Sequence, residues 1–372
     1  MIIAVNTRLQ KNQQPDGYES FLFETLDGLT KKFPQQQFLY IFDKPYDQNL
    51  VFEKNVLPIV SGPETSNSLR LQYWFNFKIP AVLRKYKADV FVSLEGICSQ
   101  RTQKPQCLLI TNLDFLQPAT GIKRPNTRFY KKFTPSFLAK AKSIAVVSSY
   151  AQSVITSHYK INAADVDIIN PGISKLFKPV GWEEKESIKE EYAEGKAYFL
   201  YSGKINPEAN LINLLKAFSL FKKRQKSNML LLIAGNADEK FKKELNSYKW
   251  RMDVKLLENL PVSETAKITA AAYALVYPVH YADLPLSPLQ ALQCAVPVVV
   301  SHVGALPSVL EKAALYFEPD NVANMADNLM LIFKDEDKAK ELITAGNALL
   351  KKHQLEKTAA LLMQSIEKAV NN

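Results

Sequence analysis

The chain has 372 residues, enough for two domains, and its 47% hydrophobic residues can fill two sizeable cores. Three cysteines, Cys98, Cys107 and Cys294, have no paired spacing, which excludes a disulfide framework or a zinc site and leaves buried thiols of a reducing compartment. No apolar run reaches about 18 residues, so no membrane span is expected, and a net charge of +10 permits an acidic partner without naming one.

The opening MIIAVNTRLQ is too short an apolar run for a signal peptide, so a cytoplasmic place is expected and Met1–Val5 reads as a first strand. Residues 6–17 form a polar loop ending in the turn signal Pro15-Asp16-Gly17. A helix follows, with Phe21, Phe23, Leu26 and Leu29 on its apolar face and Pro34 at its end, and then a strand over Phe38–Phe42. Residues 43–68 read as turn-rich and polar. Leu69–Tyr86 reads as a helix bearing Tyr73, Trp74, Phe75 and Phe77, broken or kinked at Pro80. Core packing is the default for these aromatics, and contact with an acceptor is the alternative. Further strands are predicted at Asp89–Leu94 and Gln106–Ile110.

Gly121–Lys142 holds seven Lys and Arg and no Asp or Glu, with Phe129, Tyr130, Phe133 and Phe137 at near-helical spacing. Two readings stand: a helix that packs its aromatics inward and solvates its charges, or a basic amphipathic surface lying on an anionic bilayer at the inner membrane face. Arg128, Lys131 and Lys132 are the residues that a membrane or an acceptor would meet. No aromatic-basic RNA signature accompanies them, so nucleic acid is not an expected partner. Ser143–Val147 is a strand, Ser148-Ser149 opens a helix, and Val166–Ile169 is the last strand of the first domain. Residues 174–196 carry Lys/Glu pairs, Gly181 and few core positions, which places the boundary there, with a first domain over 1–175 and a second over 176–354.

The second domain begins with a strand at Tyr198–Ser202. Met229–Ala234 is the next, followed by the turn Gly235-Asn236-Ala237, a helix to about Lys249, a short apolar stretch at Val254–Leu256, and a helix over Ser263–Ala272. Ala274–Tyr277 is a strand, and Pro278 opens a loop. Ser287-Pro288 reads as a helix start, Ser as N-cap and Pro at the first position, with Leu289, Leu292 and Ala295 on one face. Val298–Val300 is short enough for a buried parallel strand. From Val322 onward the chain is helical. Strands alternating with helices in both halves predict an α/β protein with two doubly wound sheets. In such sheets ligands bind at the carboxyl ends of strands, where a helix N-terminus offers N–H groups to anions.

Leu286, Pro288-Leu289, Ala291-Leu292, Cys294 and Pro297-Val298-Val299 form a framework that resembles the donor site of the family-4 retaining glycosyltransferases (glycosyl transferase group 1). Gly203, Pro207, Asn210, Leu211, Leu214, Leu215 and Phe218 match the same family's second-domain opening, and Ala314–Pro319 matches its Ala-Leu-Tyr-Phe-Asp-Pro. The resemblance covers almost the whole chain. It implies the GT-B fold: two Rossmann-like domains facing across a cleft, with the last helix, about 355–372, returning to the first. It also implies a nucleotide-diphosphate sugar donor, a glycan or lipid-linked acceptor, and no metal. Val254–Leu256 and Leu260-Pro261 fall in the region that packs under the nucleotide base. The donor positions carried over are Gly17, Glu19, Thr111, Asn112, Gly203, Lys204, Glu208, Ala209, Ala282, Asp283, Leu284, Pro285, Leu286 and Gln290.

Several of those positions depart from the family pattern. Glu19 stands at a glycine, Thr111 at a histidine, and Asn112 at an aspartate. Glu208 and Ala209 replace an Arg-Lys pair that neutralises the diphosphate; Lys204 is either a surviving neighbouring cation or a surface lysine. Ala282 and Gln290 replace two glutamates, and Asp283 and Pro285 two glycines. Gly17 fits an ordinary strand-to-helix turn equally well. Of the four histidines, His158, His302 and His353 read as surface or packing residues, and His280 lies in the donor loop. Two functional readings stand: a glycosyltransferase of polysaccharide or glycoconjugate assembly with altered donor recognition, or a non-catalytic relative that binds or scaffolds beside an active homologue. An epimerase-like enzyme lacks evident acid–base residues.

Overall fold

A computed structural model describes residues 1–8, 17–46, 53–116 and 126–372. The turn residues Pro15 and Asp16 and the start of the basic segment, Gly121–Pro125, lie outside the described residues. The chain divides into two compact units, Met1–Gly172 with Gln354–Asn372, and Ile173–His353.

Unit 1 runs β1 (Ile2–Asn6), α1 (Gly17–Lys32), β2 (Gln37–Phe42), β3 (Val56–Val60), α2 (Ser68–Tyr73), α3 (Ile79–Lys85), β4 (Val90–Ser93), β5 (Gln106–Ile110), α4 (Thr127–Lys140), β6 (Ser143–Val146), α5 (Ser149–Tyr159) and β7 (Val166–Ile168). All pairings are parallel, in the order β3-β2-β1-β4-β5-β6-β7. The inner strands are buried on both faces, as parallel strands covered by helices must be.

The reading of 43–68 as turn alone is corrected by β3. This strand alternates exposure and carries Pro58, which cannot donate to a ladder and is tolerated because β3 lies at the sheet edge. The helix predicted over Leu69–Tyr86, broken or kinked at Pro80, is a helical run with an irregularity just before that proline. The run is α2, a π turn at Trp74–Lys78, and α3, with Pro80 at the second position of α3. The wider turn before Pro80 makes room for a ring with no N–H.

Unit 2 runs α6 (Trp182–Ala193), β8 (Tyr198–Ser202), α7 (Leu211–Gln225), β9 (Leu230–Ala234), α8 (Glu239–Asn246), β10 (Val254–Leu257), α9 (Val262–Ala270), β11 (Ala274–Tyr277), α10 (Leu286–Gln293), β12 (Val298–Ser301), α11 (Leu306–Leu310), β13 (Ala314–Phe317), α12 (Val322–Lys334) and α13 (Glu336–Leu349). Its sheet, again parallel, has the order β10-β9-β8-β11-β12-β13. In both sheets the order reverses beside the first strand, between β1 and β4 and between β8 and β11. Such switch points are where open α/β sheets hold ligands. Residues 174–196 are not featureless: α6 buries Ile188 and Ala193 and leaves its charged face in water.

The last helix, α14 (Leu355–Asn371), belongs to unit 1. It buries Ala359, Leu362, Met363, Ile366 and Ala369. Ser365 and Lys368 donate to the Asp167 carboxylate at 2.8 and 2.9 Å, and the Thr358 hydroxyl donates to the Asn170 carbonyl at 2.7 Å. Among the described residues no helix is long and apolar enough to cross a membrane.

A Cβ at Gly172 would stand 2.6 Å from Leu355 Cα, a backbone atom that cannot yield. Gly172→Ala is therefore expected to destabilise the protein by about 1–3 kcal/mol. Gly181→Ala, whose Cβ would meet nothing within 4 Å, is expected to leave the denaturation midpoint almost unchanged. Urea titration of both variants checks this.

Candidate functional site

In unit 2 the carboxyl edge of the sheet gathers most of the candidate positions. Beyond β8, the Gly203 N–H donates to the Ala234 carbonyl at 3.0 Å, and beyond β9 the Gly235 N–H donates to the Leu257 carbonyl at 3.0 Å. A Cβ at Gly235 would lie 2.1 Å from the Gly203 carbonyl oxygen, and both glycines have φ near +150°, so this approach is open to glycine alone. Tyr201 donates its hydroxyl to the Lys204 carbonyl at 2.7 Å and stacks on Tyr277, ring centroids 6.1 Å apart. Burial raises both phenols, Tyr277 to about 12, so they serve as hydrogen-bonding groups and not as bases near neutral pH.

Glu208 and Ala209 lie in a short 3-10 turn opened by Asn206, whose side-chain oxygen accepts from the Ala209 N–H at 3.0 Å. Asn210 follows with φ +55° and is buried. Its carboxamide donates to the Pro278 carbonyl at 2.9 Å and to the Pro319 carbonyl at 2.7 Å. One side chain thus ties together the segments that follow β8, β11 and β13. The His280 N–H reinforces this by donating to the Glu208 carbonyl at 2.8 Å.

The loop Ala282–Pro285 follows. Ala282 is buried, and its carbonyl accepts from the Ala305 N–H at 2.8 Å. Asp283 is buried as well, and its carboxylate accepts a hydrogen bond from the Tyr281 hydroxyl. Leu284 is half-buried. The Ser287 N-cap is corrected: α10 begins at Leu286 with Pro285 in the cap position, and Ser287 is already helical. Pro285 can accept the first helical bond, from the Leu289 N–H at 3.3 Å, but has no N–H of its own to give an anion. Gln290 stands one turn into α10, half-buried. Lys204 is exposed beside this edge. His280 Nε2 lies 3.9 Å from Asp320 Oδ1, beyond hydrogen-bond range. Among the described residues no three His, Cys, Asp or Glu side chains converge as metal ligands.

The unit 1 positions are arranged around its own carboxyl edge. Gly17 opens α1 after β1, and Glu19, half-buried, lies in the first turn. Thr111, buried, follows β5, and the Asn112 side chain accepts from the Asp114 N–H at 2.7 Å, starting a 3-10 turn. In the sheet β4 separates β1 from β5. Arg128, Lys131 and Lys132 are exposed on α4, while Phe129 and Phe137 are buried, so the inward-packing reading holds for those two rings.

Sequence reasoning missed a polar network at this edge. Arg8 pairs with Glu95, both nearly buried, and its Nη1 donates to Thr65 Oγ1 at 3.1 Å. Asn6 donates to Glu95 at 2.6 Å, and the Thr65 hydroxyl donates to Asp43 at 2.5 Å. Burial works against the Arg8 charge, but Glu95, helped by Tyr130 and Asp43, outweighs it and holds the guanidinium protonated. The available signal was polar residues placed immediately after apolar strands: Asn6 ends β1, Asp43 follows β2 and Glu95 follows β4. Tyr281 was missed in unit 2, where it masks the carboxylate of Asp283.

Two measurements test this geometry. Asn210→Ala leaves two buried carbonyls without their donor and is expected to cost about 1–3 kcal/mol, read by denaturant titration. Burial raises all three thiols, Cys107 to about 11 and Cys294 to about 12. They should stay neutral and unreactive toward a thiol-disulfide reagent at pH 8 in the native protein, and all three should titrate in denaturant.

Residues 183–348 match the family model described as glycosyl transferases group 1. The O-antigen chain mannosyltransferase B of Escherichia coli is 26% identical over 231 residues, 60% of this chain and 59% of that protein, so the chain spans less than two thirds of that relative in the match. Among solved structures, sucrose-phosphate synthase of Thermosynechococcus elongatus superposes with a TM-score of 0.80 at 17% identity, covering 98% of each chain. Anabaena Alr3699/HepE, in complex with UDP and glucose, superposes at 0.77 and 14% identity, covering 99% of each. At these identities the structural likeness is one of fold. With the two parallel-sheet Rossmann-like units already described, the chain has the fold of GT-B glycosyltransferase structures, and its second unit is similar to the glycosyl transferases group 1 over residues 183–348.

Proposed function

We propose that the chain works in polysaccharide or glycoconjugate assembly, on the frame of a transferase that moves a sugar from a nucleotide-diphosphate donor to a glycan or lipid-linked acceptor at the inner face of a membrane, and that its donor site holds the diphosphate weakly. The carrying observation is the carboxyl edge of unit 2. Its backbone frame is complete, with Gly203 against Gly235 and the Asn210 bridge. Its side chains are not those of an anion site: Glu208, Ala209, Ala282 and Asp283. The Escherichia coli mannosyltransferase supports the pathway, and the UDP and glucose held by Alr3699/HepE support the donor class.

The size of the loss follows from the contacts. An Arg-Lys pair would give two charge-assisted bonds of about 1.5–3 kcal/mol each. The α10 N-terminus alone offers about 0.3–1 kcal/mol. Gln290, being neutral, offers a ribose hydroxyl about 0.5–1.5 kcal/mol. Every 1.4 kcal/mol is about tenfold in affinity, so two missing cations remove at least about two orders of magnitude.

A second reading, a non-catalytic subunit that binds beside an active homologous transferase, is favoured by the breadth of substitution. Glu19, Thr111, Glu208, Ala209, Ala282, Asp283 and Gln290 all differ from the resembling family, while the packing residues Leu286, Leu289, Pro297 and Val298 are kept and buried. Calorimetric titration with uridine and guanosine diphosphates and their sugars, at low salt where charge interactions are strongest, tests both. Little binding and no turnover at millimolar donor are expected. Slow transfer at millimolar donor would favour the enzyme, and its absence the subunit. A low-micromolar dissociation constant, or turnover that disappears in Gln290→Ala, would overturn the weak-site reading.

A further inference from the structure

The positive charge of this chain is concentrated in one stretch. Residues 65–164 hold fifteen Lys and Arg against three Asp and Glu, a surplus of twelve where the whole chain's surplus is ten. Those three carboxylates offset little of it. Glu95 is nearly buried against Arg8, Asp114 is half-buried in a 3-10 turn, and Asp89 sits at the amino end of β4.

The same stretch exposes three large apolar side chains, Leu69 at 77%, Tyr73 at 44% and Phe77 at 45%. They stand four residues apart along α2 and the π turn, and the Tyr73 and Phe77 rings stack with centroids 5.2 Å apart. The sequence placed this aromatic run in the core by default. The structure divides it: Trp74 and Phe75 are buried, and Tyr73 and Phe77 face water. The Arg101 guanidinium lies 4.1 Å from the Phe77 ring centroid. Gln100 joins this ridge to α4, its N–H donating to Asn76 Oδ1 at 2.8 Å and its carboxamide to the Ser136 carbonyl at 3.3 Å. Lys132 is one helical turn from Ser136, and Lys131 and Arg128 are exposed on the same helix.

We propose that this ridge of unit 1 docks on an anionic lipid bilayer, with Leu69, Tyr73 and Phe77 entering the headgroup boundary and Arg101, Lys131 and Lys132 meeting lipid phosphates. The arrangement fits that partner on both counts. Amphipathic aromatic rings settle at the boundary between water and hydrocarbon. Cations beside them gain from the negative surface potential, and a guanidinium stacked on an aromatic ring is held at its level. A second copy meeting this face through its own would bring like charges together, which opposes self-association here. Nucleic acid would use the cations but leave the aliphatic Leu69 without a role. The inference deepens the membrane-bound acceptor in the function proposed above and rests on it only for its purpose, because docking is measured without donor or acceptor.

The test is sedimentation of the full chain with vesicles of phosphatidylcholine alone and of phosphatidylcholine with phosphatidylglycerol. The protein is expected to pellet with the anionic vesicles, and less so as salt rises. Replacing Lys131 and Lys132 by Gln should lower the partition constant about 25-fold, roughly fivefold for each cation. Leu69→Ser with Phe77→Ser should lower it at least about tenfold with charge unchanged. All four side chains are partly or wholly exposed, so circular dichroism should match that of the parent, and donor titration should be unchanged, which separates failure here from failure of the donor reading. Equal pelleting with neutral vesicles, no pelleting with anionic ones, or full binding by the Leu69/Phe77 variant would overturn the proposal. So would a dimer, seen by light scattering, that the same variant dissolves.

Discussion

The carboxamide of Asn210 is the interaction on which the second unit's candidate site depends. A parallel sheet places its strand ends side by side but does not fix the loops beyond them. Asn210 does so by donating to Pro278 and Pro319 at once, from a left-handed backbone position that Asn adopts more readily than most residues. With it, the 3-10 turn holding Glu208 and Ala209 is set against the loop holding His280, and Ala282 is fixed in turn by Ala305. The frame is made almost wholly of backbone groups and one amide. It can therefore persist while the charged side chains around it change.

That separation explains the mixture found in this chain. Leu286, Leu289, Ala291, Leu292 and Cys294 lie in a closely packed interior, where any change of volume costs stability. Glu208 and Gln290 are only half-buried and so are less constrained by packing, and Asp283 is set by local polarity. Asp283 shows the consequence: a carboxylate buried beneath this loop is stabilised by the Tyr281 hydroxyl, a local solution that asks nothing of a ligand. Unit 1 follows the same logic at its own edge, where Glu95 keeps Arg8 in a buried network with Asn6, Thr65 and Asp43.

Much of the fold was legible because its signals are local. Apolar runs such as Leu230–Ala234 and Val298–Ser301 are short, buried on both faces and bounded by turn residues, and they are strands in the structure. The failures were equally physical. β3 was hidden because Pro58 reads as a breaker, and only its place at the sheet edge makes it tolerable. The helix over 69–86 was read as broken or kinked at Pro80, whereas its irregularity is the π turn just before that residue, which leaves no mark in periodicity. The Ser287 cap was misplaced by two residues because Pro285 supplies the first acceptor carbonyl. In the candidate site Gly203 and Asn210 were recognisable from the family resemblance, whereas Arg8, Glu95, Thr65 and Tyr281 were not, since their partners lie far away in sequence or carry no pattern.

The sequence by itself determined the alternation of strands and helices, and with it two parallel sheets, a class of sheet that holds ligands at its carboxyl edge. It also determined which side-chain chemistry is present there, because residue type needs no coordinates. Tertiary structure decided what that chemistry faces. Tyr73 and Phe77 are exposed while Trp74 and Phe75 are buried, though all four are aromatic neighbours, because the π turn rotates the run relative to the core. Asp283 is masked, and Arg8 is held charged in a nearly buried position, because each meets a partner that folding delivers. Burial and pairing are properties of distance between atoms, and only the folded chain sets those distances.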